Sequence, residues 1–277
     1  MQNNPPMYSL DAIKYGRSKL VDNQQLLIVE GYTDAIVYSR LNEGNRTILP
    51  IKKITGDGGK ESIIAVSNQL PKQFFIVDDD LESMIDEKYR ETLGSNVFTT
   101  WSNNDVECWC YLALENTSNL DLLDLSASDI TMALKLSRKM GILRIIMKKK
   151  VSDDINTRWK LNFRKFKEEI LQNSQVYPED GIIKKIIDSQ RKDTVSYKRW
   201  GEKLDKTEKK YSNTMSIRLS TGHDLTFFLY YFREMRKNKL VNEDNYKIFE
   251  KNLRNNSLRH KEGWKSFLSS EIGDLLK

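Results

Sequence analysis

Two apolar stretches, Leu26-Leu27-Ile28-Val29 and Phe74-Phe75-Ile76-Val77, run without a polar break and stop abruptly at acid: Glu30 with Asp34 just beyond, and Asp78-Asp79-Asp80. A strand apolar on both faces must be covered on both faces, which is the condition of a parallel strand in an α/β sheet. In such sheets ligands bind outside the carboxyl ends of the strands, so these two ends would bring carboxylate oxygens around one crevice. Converging carboxylates without countercharge repel and raise one another's pKa values unless a divalent cation neutralises them. Mg²⁺ suits that chemistry, since it takes hard oxygen ligands from a few carboxylates and from phosphate. Taken singly, Asp80 reads better as a helix cap and Glu30 as a solvated acid. The set at matching strand ends points to a cation.

The flanking sequence alternates strand and helix signals. Residues 8–21 read as either an outer strand or a short helix. Gly31 allows a turn after the first strand, and Thr33 or Asp34 can cap a helix running to Leu41. Residues 47–51 suit a short strand, with Pro50 placing it at an edge. Gly56-Asp57-Gly58-Gly59-Lys60 offers backbone N–H groups and a lysine to an anion and opens a helix over 61–70, but lacks the spacing of an ATP loop. A helix over 81–92 and a strand over 96–101 follow. Asn104-Asp105-Val106-Glu107 then brings acid to another strand end and starts a helix over 108–115. The series is that of a doubly wound α/β sheet.

Beyond about Asn116 the pattern shifts to a 3.6-residue period with charged outer faces. Helices are expected over 128–150, 158–173, 182–192, 224–237, 242–255 and 260–276, with linkers near 152–156 and 174–181. The expected organisation is an α/β domain over 1–118 and a mainly helical region over 119–277 for substrate and partner contacts.

The chain of 277 residues carries 45 Lys+Arg against 39 Asp+Glu, a net +6 that permits a polyanionic partner without demanding one. Clustering says more. Arg144, Lys148-Lys149-Lys150, Arg158, Lys160, Arg164, Lys165 and Lys167, interleaved with Trp159, Phe163 and Phe166, read either as phosphate grips and base-stacking rings or as solvated lysines beside core aromatics. Lys198-Arg199-Trp200 with Lys203 and Lys206 is a second patch of the same kind. His223 is either a phosphate or proton contact or a capping histidine. Cys108 and Cys110 are too closely spaced for an ordinary staple or zinc pair and read as reduced thiols. No apolar run is long enough for a bilayer and Met1-Gln2-Asn3-Asn4-Pro5-Pro6 lacks the layout of a signal peptide, so a cytoplasmic protein without a membrane partner is expected.

Val29-Glu30-Gly31-x-x-Asp34, followed by a strand ending Asp78-x-Asp80, resembles the Toprim domain of topoisomerases, primases and several nucleases over about residues 24–116. Val97-Phe98-Thr99-Thr100, Asn104-Asp105-x-Glu107 and Gly222-His223-Asp224-Leu225 resemble the Toprim-like effector nucleases of bacterial anti-phage loci, the PARIS system among them. The resemblance implies a Rossmannoid parallel sheet flanked by helices. It also implies a Mg²⁺- or Mn²⁺-dependent nuclease acting on RNA, including tRNA, in preference to DNA. Such a toxic effector would be held silent by a partner ATPase and be a homodimer when active. On that likeness Glu30 is general acid/base or metal ligand, and Asp78 and Asp80 are metal ligands. Asp34 and Glu107 complete the set, while Lys60, His223, Lys148, Lys149 and Lys150 contact phosphate or substrate. The competing expectation is a non-catalytic scaffold that binds a partner protein.

Overall fold

The computed structural model describes residues 8–15, 25–44, 46–100, 104–153, 163–173, 177, 179–188 and 197–277. Four strands, β1 (Leu26–Val29), β2 (Thr47–Pro50), β3 (Phe74–Val77) and β4 (Val97–Thr99), form one parallel sheet in the order β2-β1-β3-β4. Leu27 lies beside Ile48 on one flank and Phe74 on the other. Alternate residues serve opposite faces: Leu27, Val29 and Ile76 enter one apolar cluster, and Leu26, Ile28, Phe75 and Val77 enter another. Both faces are covered, which is why neither β1 nor β3 carries a polar residue. β2 is an edge strand. Ile51, rather than Pro50, donates to the Val29 carbonyl at 2.7 Å, so the proline's lack of an N–H costs no ladder bond.

The helices of the first part are α1 (Leu10–Lys14), α2 (Tyr32–Leu41), α3 (Lys52–Thr55), α4 (Lys60–Ser67), α5 (Glu82–Ile85) and α6 (Val106–Asn116). Ala35, Tyr38 and Leu41 of α2 join α6 on one face, and Ile54 of α3 joins Ile63 and Val66 of α4 on the other. The order 2-1-3-4 reverses between β1 and β3, and a crevice opens at the carboxyl end of such a reversal.

The second part contains α7 (Ala127–Asp153), α8 (Phe163–Asn173), α9 (Glu179–Asp188), α10 (Tyr197–Lys210), α11 (Gly222–Arg236), α12 (Glu243–Arg259), α13 (Lys265–Leu268) and α14 (Glu271–Leu276). Its apolar residues complete the first part's core. Met140 of α7, Phe227 of α11 and Phe249 of α12 belong to the same cluster as Leu27 and Ile76. The last turn is tied back to the sheet layer, where the N–H groups of Glu43 and Gly44 donate to the Leu276 carbonyl at 2.7 and 3.1 Å. Among the described residues no helix is long and apolar enough to cross a membrane.

Several elements differ from the sequence pattern. Residues 8–15 hold a short helix and no strand. The helix expected over 81–92 stops after α5, because Asp86 accepts from the Lys88 N–H at 2.9 Å and diverts the backbone before a 3-10 turn at Tyr89–Thr92. The helix expected over 260–276 is three pieces, a 3-10 turn at Lys261–Trp264, α13 and α14. Ser270 restarts it by accepting from Gly273 N–H at 3.3 Å. The helix α10 was not expected from the pattern. The expected linker at 152–156 begins inside α7, and its remainder lies outside the described residues.

Candidate functional site

Because β1 and β3 are neighbours, their acid ends meet. Glu30 Oε1 accepts from the Asp78 N–H at 2.8 Å. Burial lifts the Glu30 carboxyl to about 7, against the lowering effect of that N–H; the Asp80 charge adds to the lift and Lys60 opposes it. Asp34 is not the N-cap of α2. Gly31 holds that position, and Asp34, one turn inside, reaches back to accept the Gly31 N–H at 2.7 Å. Its buried carboxyl is raised by desolvation, with Asp105 the chief like charge.

The Asp78-Asp79-Asp80 run splits three ways. Asp78 turns to the other acids, and enclosure followed by the charges of Asp34, Asp105, Glu30 and Glu107 drives its pKa well up. Asp79 is fully buried and faces away, taking the Ser83 N–H at 3.2 Å and the Ser83 hydroxyl at 2.7 Å. The carboxylate that satisfies the first turn of the following helix is therefore that of Asp79 and not Asp80, while Leu81 holds the N-cap position. Asp80 is exposed, has φ 50°, and pairs with Lys60 Nζ at 3.1 Å, which puts it at the rim. Leu81 also has positive φ, at 68°. Two successive non-glycine residues in that region store strain of roughly 1–3 kcal/mol each.

The third acid cluster arrives on α6. Asp105 is its N-cap, accepting from Cys108 N–H at 3.0 Å, and the same carboxylate takes the Gly222 N–H at the start of α11. One buried side chain thus joins two helix N-termini, whose N–H groups favour its charge, although desolvation outweighs them and raises its pKa. Only glycine fits at 222, since a Cβ there would lie 2.2 Å from Asp105 Oδ1 and 2.4 Å from Glu107 Cβ. This close approach sets His223 beside the acids. Glu107 is buried and pushed up to about 8, by burial first and then by Asp105. His223 is an exposed residue, and its pKa is raised chiefly by Glu107 against the lowering effect of desolvation of its imidazole.

The basic residues distribute differently from expectation. Lys148 bonds Glu82 at 2.6 Å and the Asp80 carbonyl at 3.0 Å, so it braces the acidic loop instead of standing free for substrate. Arg144 is not a free phosphate grip either, since it holds buried Asp224 through two bonds at 2.8 and 2.9 Å. Phe166 is core, not a stacking platform. Lys167 Nζ sits 3.8 Å from the centroid of the Tyr246 ring. The side chains of Lys149, Lys150, Phe163, Arg164 and Lys198-Arg199-Trp200, and residues Arg158, Trp159 and Lys160 entirely, lie outside the described residues.

Two members of the site escaped sequence reasoning. Asp105 was read only as part of an acidic stretch. Tyr38, one turn after Asp34 and so on the same helix face, carries no sequence signal beyond its place in the helix running to Leu41. Its hydroxyl is buried without a hydrogen-bond partner among the described residues, and Asp34, Asp78 and Glu107 are the charges that act on it most.

Glu30, Asp34, Asp78 and Glu107 are hard-oxygen donors held at raised pKa by burial, with Lys60 acting on Glu30 and His223 on Asp34 and Glu107 as partial countercharges, and with the Tyr38 hydroxyl they fit Mg²⁺ or Mn²⁺ in chemistry. Asp80 could join from the rim on leaving Lys60. Among the described residues no three His, Cys, Asp or Glu are already grouped to hold an ion. Stability should register the crowding. Carboxyls raised on folding add stability that is complete below pH 4.5 and is lost as pH climbs through about 7 for Glu30 and about 8 for Glu107. Metal-free protein should therefore melt higher at pH 5.5 than at pH 8.5, and Mg²⁺ should recover the difference only at pH 8.5. A melting temperature that rises with pH in chelator would contradict this account. No protein-family model matches the chain, and no curated protein matches it.

Proposed function

We propose that the chain is a Mg²⁺- or Mn²⁺-dependent phosphodiesterase that cleaves RNA, with tRNA among its targets, and serves as the toxic effector of an anti-phage defence system. The observation that carries this reading is the convergence of Glu30, Asp34, Asp78, Asp105 and Glu107 at the carboxyl ends of β1 and β3 and the start of α6. The divalent cation would supply charge neutralisation at the phosphodiester and an activated water. Glu30, near 7, can take or give a proton at neutral pH. Lys60 at the rim and the exposed His223 present cationic groups to phosphate, His223 also having a proton for a departing oxygen. The preference for RNA, the partner ATPase that restrains the effector and the active homodimer rest on the resemblance to Toprim-like defence nucleases. The alternative, a non-catalytic scaffold, is favoured by the lack of a ready-made ligand trio among the described residues.

Purified protein should cleave labelled RNA in Mg²⁺ and not in chelator. Asp78→Asn should abolish that cleavage and shrink the melting-temperature gain from Mg²⁺, because it removes an anionic ligand. Asp79→Asn should keep both responses, since an amide oxygen can still accept from Ser83. Metal-independent cleavage, or loss on Asp79→Asn alone, would refute the ligand assignment. No cleavage of RNA or DNA by the folded protein would favour the scaffold.

A further inference from the structure

The Tyr38 ring is fixed by the core. It is 1 % exposed and lies parallel to Phe267, with centroids 5.8 Å apart and planes at 9°. Its hydroxyl nevertheless has no water access and, among the described residues, no hydrogen-bond partner. Leaving a buried hydroxyl unpaired costs free energy that phenylalanine at the same position would avoid. The place of this hydroxyl suggests why the polar atom is there. It belongs to α2 one turn beyond Asp34, and of all nearby groups Asp34, Asp78 and Glu107 act on it most strongly. It is thus a neutral donor beside a set of groups that, when ionised, can only accept.

We propose that Tyr38 is a positioning residue of the carboxylate site, donating a hydrogen bond to the Asp34, Asp78 and Glu107 set and fixing it in the arrangement that takes a divalent cation. The proposal rests on the cation-binding part of the function proposed above. A carboxylate that gives one lone pair to a cation keeps others to accept from a phenol, so the hydroxyl gains its partner when the cation is held. Hydrogen-bond donors of this kind, behind the ligands, typically account for 10–100-fold in metal affinity.

The test is Mn²⁺ titration of the full chain by calorimetry or electron paramagnetic resonance, together with melting in chelator, for wild type and Tyr38→Phe. Tyr38→Phe keeps the ring against Phe267, so the metal-free protein should melt no lower than wild type. Its Mn²⁺ dissociation constant should rise about tenfold or more. Tyr230→Phe is the control. The Tyr230 hydroxyl donates to the Asn242 carbonyl and accepts from the Asn242 N–H, both at 3.0 Å, so this variant should melt lower and bind Mn²⁺ unchanged. Affinity decides the matter. Wild-type affinity in Tyr38→Phe overturns the positioning role and leaves the cation site standing, whereas a wild type that binds no Mn²⁺ overturns both.

Discussion

Glu30→Ala is expected to fold, melt close to wild type and lose metal-dependent RNA cleavage by about 10²–10⁴-fold, the range that one positioned acid–base group contributes. The small stability effect follows from two opposing changes. The variant gives up one hydrogen bond, from Asp78 N–H at 2.8 Å, and leaves that donor short of a partner. It also removes a carboxylate that burial and the Asp80 charge hold at about 7, so the repulsion around Asp78 and Asp34 falls. Glu30→Gln separates the roles. Its amide oxygen can keep the bond to Asp78, but it can neither exchange a proton nor add negative charge toward a cation. Both variants should be inactive, with circular-dichroism melts near wild type and no new RNA ends on sequencing. Full activity in Glu30→Gln would remove Glu30 from the chemistry and confine it to holding β3.

The sheet was legible because β1 and β3 are apolar on both faces, and that pattern has one economical explanation, burial between helix layers. The meeting of Glu30 and Asp78 was legible for the same reason, since strands in a parallel sheet end at one side. The split within Asp78-Asp79-Asp80 was only partly so. Alternation suggests that Asp79 turns away, but the exposure of Asp80 depends on positive φ at Asp80 and Leu81 and on a cap to Ser83, which identical letters do not encode. Charge misled where partners lie far along the chain. Lys148 and Arg144 look free until Glu82 and Asp224 come beside them across 66 and 80 residues. Gly222 is a comparable case, visible in sequence only as the first residue of the Gly222-His223-Asp224-Leu225 motif, and its lack of a side chain is required once α6 and α11 meet at Asp105.

Arg144→Ala is expected to be the most destabilising single truncation near the site, costing about 3–5 kcal/mol at pH 8, as breaking a buried ion pair generally does. Asp224 has no exposed surface, and both its oxygens are held by Arg144, at 2.8 and 2.9 Å. Its pKa is already raised, by burial first, with Arg144 the strongest opposing influence. Without that guanidinium the carboxyl rises further. The sign of the pH effect is then fixed: a carboxyl raised on folding is tolerated when protonated at low pH and penalised as pH climbs through its folded value. The deficit of Arg144→Ala against wild type should therefore be largest near pH 8 and shrink toward pH 5. Asp224→Asn in the Arg144→Ala background should recover much of the loss at pH 8, because it removes the charge that was left unpaired, and a double-mutant cycle would give the coupling directly. Asp224 follows His223 in the first turn of α11, so cleavage should fall with stability in Arg144→Ala and return with the second substitution. A deficit independent of pH, unrelieved by Asp224→Asn, would mean that Arg144 acts through the packing of its aliphatic stem between α7 and α11 and that Asp224 does not depend on its charge.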